Sequence, residues 1–187
     1  MRKIIVILCI LLCLCGCNKN EYQKGMFDNL TYTNTVFNFT MSFPEKYEIF
    51  TDERILDFLG INTEDLQSDV VYEYIVTVQE QMPLFQFNVE RYKFTTLITF
   101  DDFVAQVVQQ FLDQKEYNYT IGSVCNVEFN GVMFKKIPMQ MNVGNYTLYQ
   151  DIYLINNNGY VGTLMIMYAD TQIEEVQEIM KSIQLFE

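Results

Sequence analysis

The sequence predicts one α+β domain, a mostly antiparallel sheet with helices packed on it. Three observations predict it. Short segments alternate strictly between apolar and polar residues, Asn-Gly and Asn-rich turn signals separate several of them, and two Thr-x-x-acid patterns each open an apolar stripe at helical spacing. No internal repeat, low-complexity tract or second linker interrupts the chain, so one domain is the simplest organisation.

Phe37-Asn38-Phe39-Thr40-Met41-Ser42-Phe43 is the first strong strand, with its apolar side chains on one face and Pro44 ending it. Leu56, Phe58 and Leu59 predict a short helix stopped by Gly60. Residues 63–80 carry two periods at once: Leu66, Val70, Val71, Tyr74 and Val78 fit a helical face, while Tyr72, Tyr74, Val76 and Val78 alternate. The β-branched and aromatic density from Val70 onward predicts a helical turn followed by a strand. Met82-Pro83 is expected to break the chain before Phe85, Phe87 and Val89 alternate in a further strand.

Thr99-Phe100-Asp101-Asp102 has the form of a capping box with Asp in place of Glu, and apolar residues at 103, 104, 107, 108, 111 and 112 predict a helix over 100–112. A meander follows. Ile121, Cys125, Val127 and Phe129 are expected on one strand face, Asn130-Gly131 gives a hairpin turn, and Met133, Ile137, Met139 and Met141 line the next strand. Pro138 there predicts an edge or a bulge. After Val143-Gly144-Asn145, the residues Tyr146, Leu148, Ile152 and Leu154 are expected inward, with Tyr149 and Tyr153 on the other face. Asn156-Asn157-Asn158-Gly159 turns the chain into Tyr160–Ala169, apolar on both faces and so a central strand. Thr171-Gln172-Ile173-Glu174 reads as a second capping box, opening a helix that buries Ile173, Val176, Met180 and Ile183.

The N-terminus predicts location. Met1-Arg2-Lys3 is a cationic start, Ile4 through Leu14 is an apolar run too short to span a bilayer, and polar Asn18-Lys19-Asn20-Glu21 follows. Leu14-Cys15-Gly16-Cys17 resembles the bacterial lipobox, which implies diacylglyceryl modification of Cys17 after removal of residues 1–16. Residues 17–28 are then the acylated N-terminus and a polar tether, and residues 29–187 are the domain. Two acyl chains anchor stably without help from a protein surface. Processing leaves ten basic residues against 24 acidic ones, a formal charge of −14. Anionic lipid repels such a domain, and nucleic acid is excluded as a partner because phosphate binding needs Lys and Arg. The expected location is the extracytoplasmic side of the cell membrane, held through the N-terminal lipid. Cys17 aside, only Cys125 remains, so no intramolecular disulfide framework forms. The Asn-x-Thr sequons at Asn29, Asn38, Asn118 and Asn145 reflect abundant Asn and Thr rather than glycosylation behind a bacterial signal.

Phe39-Thr40-Met41-Ser42-Phe43-Pro44, the helix at 100–112, the Asn130-Gly131 hairpin and the closing Met180-Lys181-Ser182-Ile183-Gln184-Leu185-Phe186 together resemble the PsbP-like fold. Tyr47 stands where that pattern usually has Trp. The resemblance implies a scaffold for binding or assembly, since members mostly lack catalytic residues and differ in partner.

Candidates for chemistry are few. The chain has no histidine, which removes the commonest general base and metal ligand. Cys125 is expected to pack inward rather than react. No phosphate-cradling loop exists among the eight scattered glycines, and no cofactor is expected. Glu64, Asp65, Asp69 and the pair Asp101-Asp102 are the acidic clusters, read as solvated or capping groups and, in the alternative, as a calcium site of an adhesin or scaffold. A carboxylate-based extracytoplasmic hydrolase is a second alternative, although no pair of acids is singled out. Tyrosine carries the remaining signal. Tyr149 and Tyr153 share a strand face with Asp151, and exposed Tyr is enriched at recognition surfaces. Tyr149, Asp151 and Tyr153 are therefore the candidate surface for an envelope protein or a small-molecule ligand. The expected function is a membrane-anchored, non-catalytic binding or assembly-accessory module.

Overall fold

The described residues of the computed structural model are 22–61, 70–79, 81–113, 119–143 and 146–186, and they form twelve strands and three α-helices. The strands are β1 (Met26–Asp28), β2 (Thr31–Asn34), β3 (Phe39–Ser42), β4 (Glu48–Ile49), β5 (Val70–Val78), β6 (Gln81–Arg91), β7 (Thr120–Ile121), β8 (Cys125–Phe129), β9 (Val132–Val143), β10 (Tyr146–Asn157), β11 (Tyr160–Ala169) and β12 (Gln184–Leu185). The helices are α1 (Asp52–Leu59), α2 (Phe100–Asp113) and α3 (Ile173–Lys181).

Every strand pairing is antiparallel. A large sheet runs β4-β5-β6-β11-β10-β9-β7, with β8 also on β9, and a small sheet runs β1-β2-β3-β12. As the apolar pattern on both faces predicts, β11 is central, flanked by β6 and β10. Asn130-Gly131 and Asn158-Gly159 both have positive φ at both positions, the left-handed pair that lets a two-residue hairpin follow the twist of its strands.

Alternation divides the large sheet into two faces. The inner face meets the small sheet and α3 in one aromatic core that includes Tyr32, Phe39, Tyr74, Phe85, Phe87, Phe134 and Ile179. Phe87 is at its centre, with ring centroids of Tyr32, Phe37, Phe39 and Tyr74 at 5.7–6.1 Å. Gly162 on the neighbouring strand makes room for that ring, since a Cβ there would stand 2.7 Å from it. The outer face carries two smaller clusters. Phe103 and Val104 of α2 pack on Ile137, Met139, Ile152, Leu154 and Val161, while Ile55 of α1 packs on Phe50, Ile75 and Leu84.

Both helical boundaries of α1 follow from its sequence: the Thr51 hydroxyl accepts from the Arg54 N–H, and Gly60 closes the helix in the left-handed region. At α2 the expected capping box forms, with Asp102 N donating to Thr99 Oγ1 and Thr99 N donating to Asp102 Oδ2 at 2.8 Å. Thr171 makes no such box. A 3₁₀ turn over Asp170–Gln172 precedes α3, and Gln172 Oε1 accepts from Ala169 N at 2.9 Å instead.

Several expectations are corrected. Residues 22–28 are not tether: β1 pairs with β2, and Tyr22 packs on Tyr160 and accepts from Asn34. The strand expected over 37–43 narrows to β3, although Phe37, Phe39, Met41 and Phe43 are all buried as its pattern requires. Met82-Pro83 lies inside β6 rather than breaking the chain. The strand expected through 121–129 is two, because both β7 and β8 pair with β9 and leave a gap at 122–124. Pro138 faces that gap: its carbonyl accepts from Gly122 N, and the position needs no donor. Cys125 is exposed, and so are Met133 and Tyr146, because these strand ends run past the layers that cover the sheet. Phe134, the neighbour of Met133, is buried on the opposite face, in the inner core. The helical turn expected before Val70 falls outside the described residues.

Candidate binding groove

The outer face of the large sheet is incompletely covered. Helix α1 has only eight residues and seats on the sheet through Ile55, while α2 seats through Phe103 and Val104 farther across. Met165 belongs to the cluster under α2 and Met167 to the cluster under α1. Between them a groove of about 740 Å³ runs over the strands. Its floor is Leu84 and Gln86 of β6, Met165, Met167 and Ala169 of β11, and Leu148 of β10. Phe58 and Leu59 form one wall, and Gln81, Met82, Thr171 and Gln172 form another.

Hydrogen bonds fix the groove. Gln172 Nε2 donates to the Met82 carbonyl at 2.6 Å, which joins the start of β6 to the turn before α3. Buried Gln150 donates to Met165 Sδ at 2.9 Å from below. Phe58 is 45% exposed, its ring standing edge-on to Phe50 with centroids 5.5 Å apart. The volume falls within the range of ligand sites, and the lining combines an apolar floor with a few neutral amides. Among the described residues no carboxylate, amine or guanidinium lines it, so those residues offer a ligand apolar contact and neutral hydrogen bonds. The floor escapes a reading of periodicity because β11 is apolar on both faces. A recoverable signal is the pair of methionines flanking Ile166, since Met is favoured at adaptable binding surfaces.

The inner face treats polar groups differently. A register shift between Tyr72 and Tyr74 leaves Glu73 unpaired on β5, and this bulge turns both Glu73 and Tyr74 into the aromatic core while Tyr72 joins the cluster under α1. Glu73 Oε2 accepts from Tyr32 Oη at 2.8 Å and from Gly25 N at 2.9 Å, while Oε1 is buried without a partner. Asn34 donates to the Tyr22 and Tyr32 hydroxyls at 2.7 and 2.8 Å. Burial pushes the Glu73 carboxyl above its ordinary value, outweighing the Tyr22, Tyr32 and Gly25 hydrogen bonds that pull it down. Burial, then the charge of Glu73, likewise pushes the Tyr22 and Tyr32 hydroxyls up. A Cβ at Gly25 would stand 2.3 Å from the Tyr32 hydroxyl, so this close approach requires glycine. The arrangement ties the segment after Tyr22 to the core.

The surface expected from Tyr149, Asp151 and Tyr153 is corrected. Tyr153 and Asp151 are each 4% exposed, and Tyr149 is half-buried with its ring stacked on Tyr168 at 5.3 Å. Asp151 accepts from Tyr168 Oη at 2.8 Å and pairs with Lys136 at 2.7 Å. Tyr153 packs on Phe129 and Phe134. The reason is that this face of β10 is the inner one, covered by a second layer. Of the acidic clusters, Asp101 pairs with Lys135, and Asp102 caps α2, its Thr99 backbone and hydroxyl hydrogen bonds holding its carboxyl below the usual range. Glu64, Asp65, Asp69 and Cys17 lie outside the described residues. Among the described residues no group of three or more acids or cysteines is placed to hold a metal ion, and no helix is long and apolar enough to cross a membrane.

No protein-family model matches the chain, and no curated protein matches it. Solved structures do. The solution structure of CyanoP, the cyanobacterial PsbP protein of Synechocystis sp. PCC 6803, superposes with a TM-score of 0.56 at 10% identity, covering 92% of this chain and 98% of that one. LpqN, described as involved in cell envelope biogenesis of Mycobacterium tuberculosis, overlaps at a TM-score of 0.44 and 9% identity over 79% of this chain and 82% of its own. At such identity the CyanoP superposition speaks to architecture alone. The chain has the α+β architecture of a PsbP-like protein, with the groove on the helix-bearing side of its large sheet.

Proposed function

We propose that this chain is a lipid-anchored, extracytoplasmic, non-catalytic binding module whose ligand-facing surface is the groove between α1 and the turn before α3. The groove itself carries the reading: it has the size of a ligand site, hydrogen-bonded walls, and no titratable group among its described lining residues. The lipobox-like Leu14-Cys15-Gly16-Cys17 supports the anchor, and the absence of histidine anywhere in the chain fits a role without acid–base chemistry. Because Tyr22 already packs on the domain, only residues 18–21 separate it from Cys17, a reach of about 17 Å when extended. The anchor would therefore hold the domain against the membrane face.

Two measurements test this. Mass spectrometry of the native N-terminus is expected to find a diacylglyceryl-modified Cys17, and Cys17→Ala is expected to leave the membrane fraction or accumulate unprocessed. A photo-crosslinking residue at Met167 is expected to capture a ligand or partner in intact cells, whereas one at exposed Met133, outside the groove, captures none. An unmodified Cys17 contradicts the anchor, and equal capture from both positions contradicts the groove.

A further inference from the structure

We propose that the groove takes the apolar face of a cationic amphipathic helix, a refinement that rests on the binding-module reading above. Three observations select this occupant. The floor crosses three neighbouring strands, β6, β11 and β10, which at about 4.8 Å per step span about 10 Å, the breadth of one α-helix. Its apolar groups include unbranched, pliable Met82, Met165 and Met167, which adapt to the Leu and Phe anchors that a helix presents at i, i+3, i+4 and i+7.

Charge supplies the third selection. Among the described residues no Lys or Arg lines the groove, so a fatty acid or phospholipid would bring an anionic head to a lining without a counter-charge. The flanks are acidic instead. Exposed Asp57 adjoins Phe58, exposed Asp170 sits between Ala169 and Thr171, and exposed Glu174 opens α3. Basic residues elsewhere are largely committed, with Lys24, Lys46, Arg54, Lys135, Lys136 and Lys181 each paired to an acid. The chain as a whole carries a formal charge of −12. A helix with an apolar stripe and a Lys-rich opposite face matches both the floor and the flanks.

The test uses the full chain in zwitterionic lipid nanodiscs and a fluorescent Leu/Lys peptide about 18 residues long, five turns of helix with Leu on one stripe. Saturable binding above that of empty nanodiscs is expected, weakening as salt rises. Met165→Gln with Met167→Gln should weaken it about tenfold or more by removing apolar anchors. Asp57→Asn with Asp170→Asn should weaken it about threefold while leaving the melting temperature in place. A Leu/Glu peptide with the same stripe, and a Leu/Lys peptide of scrambled order, should not bind. Equal binding of the Leu/Glu peptide, or indifference to both pairs of substitutions, overturns the proposal. Methyl NMR of Met165 and Met167 with 1-decanol separates the two levels of inference. If decanol shifts those signals and the Leu/Lys peptide does not, the groove reading stands and the helix is wrong; if neither does, both fall. Self-association abolished by the methionine substitutions would assign the groove to a second copy of the chain and overturn the proposal.

Discussion

On the inner face of the large sheet, β5, β6, β10 and β11 present Tyr74, Phe85, Phe87, Tyr153, Leu164 and Ile166 to a second layer, and each is buried. On the outer face, β6, β10 and β11 present Leu84, Gln86, Leu148, Met165 and Met167, and a groove stays open between α1 and the turn before α3. The difference teaches where specificity was built. Rings that interlock edge to face admit no other occupant, whereas unbranched methionines over a flat floor accept several. The inner face also buries the acids Glu73 and Asp151 in hydrogen-bonded networks, while the described residues of the groove lining are neutral. Among the described residues one face is closed by complementary packing, and the other carries a groove.

The largest expected effect breaks the closed face. Phe87→Ala removes the ring at the centre of four others and is expected to cost about 3–5 kcal/mol, read from the midpoint of urea unfolding. Next comes Lys136→Met, which strands the nearly buried Asp151. Partial exposure of Lys136 limits the loss to about 2–3 kcal/mol, and adding Asp151→Asn is expected to restore a good part of it.

Glu73→Gln sharpens the comparison through pH. Burial raises the carboxyl above its ordinary value in the folded state, so the folded protein holds a proton that the unfolded chain releases. This contribution is full below the unfolded value of about 4.3 and is lost as pH rises through the folded value. Relative to wild type, the Gln variant should therefore gain in melting temperature with rising pH. A difference that does not change with pH would contradict the burial of that charge. The smallest effect on stability is expected on the open face, where Met165→Gln with Met167→Gln should cost no more than about 1 kcal/mol, because both side chains are only partly buried.

Much of the fold was legible in the sequence because it is local. The Asn-Gly hairpin, the Thr99 cap, the Gly60 stop and the central place of β11 all follow from patterns a few residues long. What escaped depends on partners distant in sequence. Val70 to Val78 alternates as if regular, but a bulge at Glu73 separates Tyr72 from Tyr74, and only pairing with β6 reveals it. Cys125 and Met133 obey the alternation of their strands yet lie beyond the covering layers, so period alone misplaced them. Tyr149, Asp151 and Tyr153 were expected at a surface because polar tips on one strand face resemble a recognition patch, and a second layer uses those tips internally. The groove was illegible for the opposite reason: a face that is apolar in sequence reads as covered, whether or not a helix reaches it.

The claim that the outer face is a binding face is tested most directly with Nile red, a neutral apolar dye whose fluorescence rises on leaving water. With the full chain in zwitterionic nanodiscs, saturable fluorescence above that of empty nanodiscs is expected for wild type, and its loss is expected in the Met165→Gln, Met167→Gln variant at a melting temperature lowered by no more than about 4 °C. Fluorescence no higher than that of empty nanodiscs, or the same saturable signal from both proteins, would contradict the account.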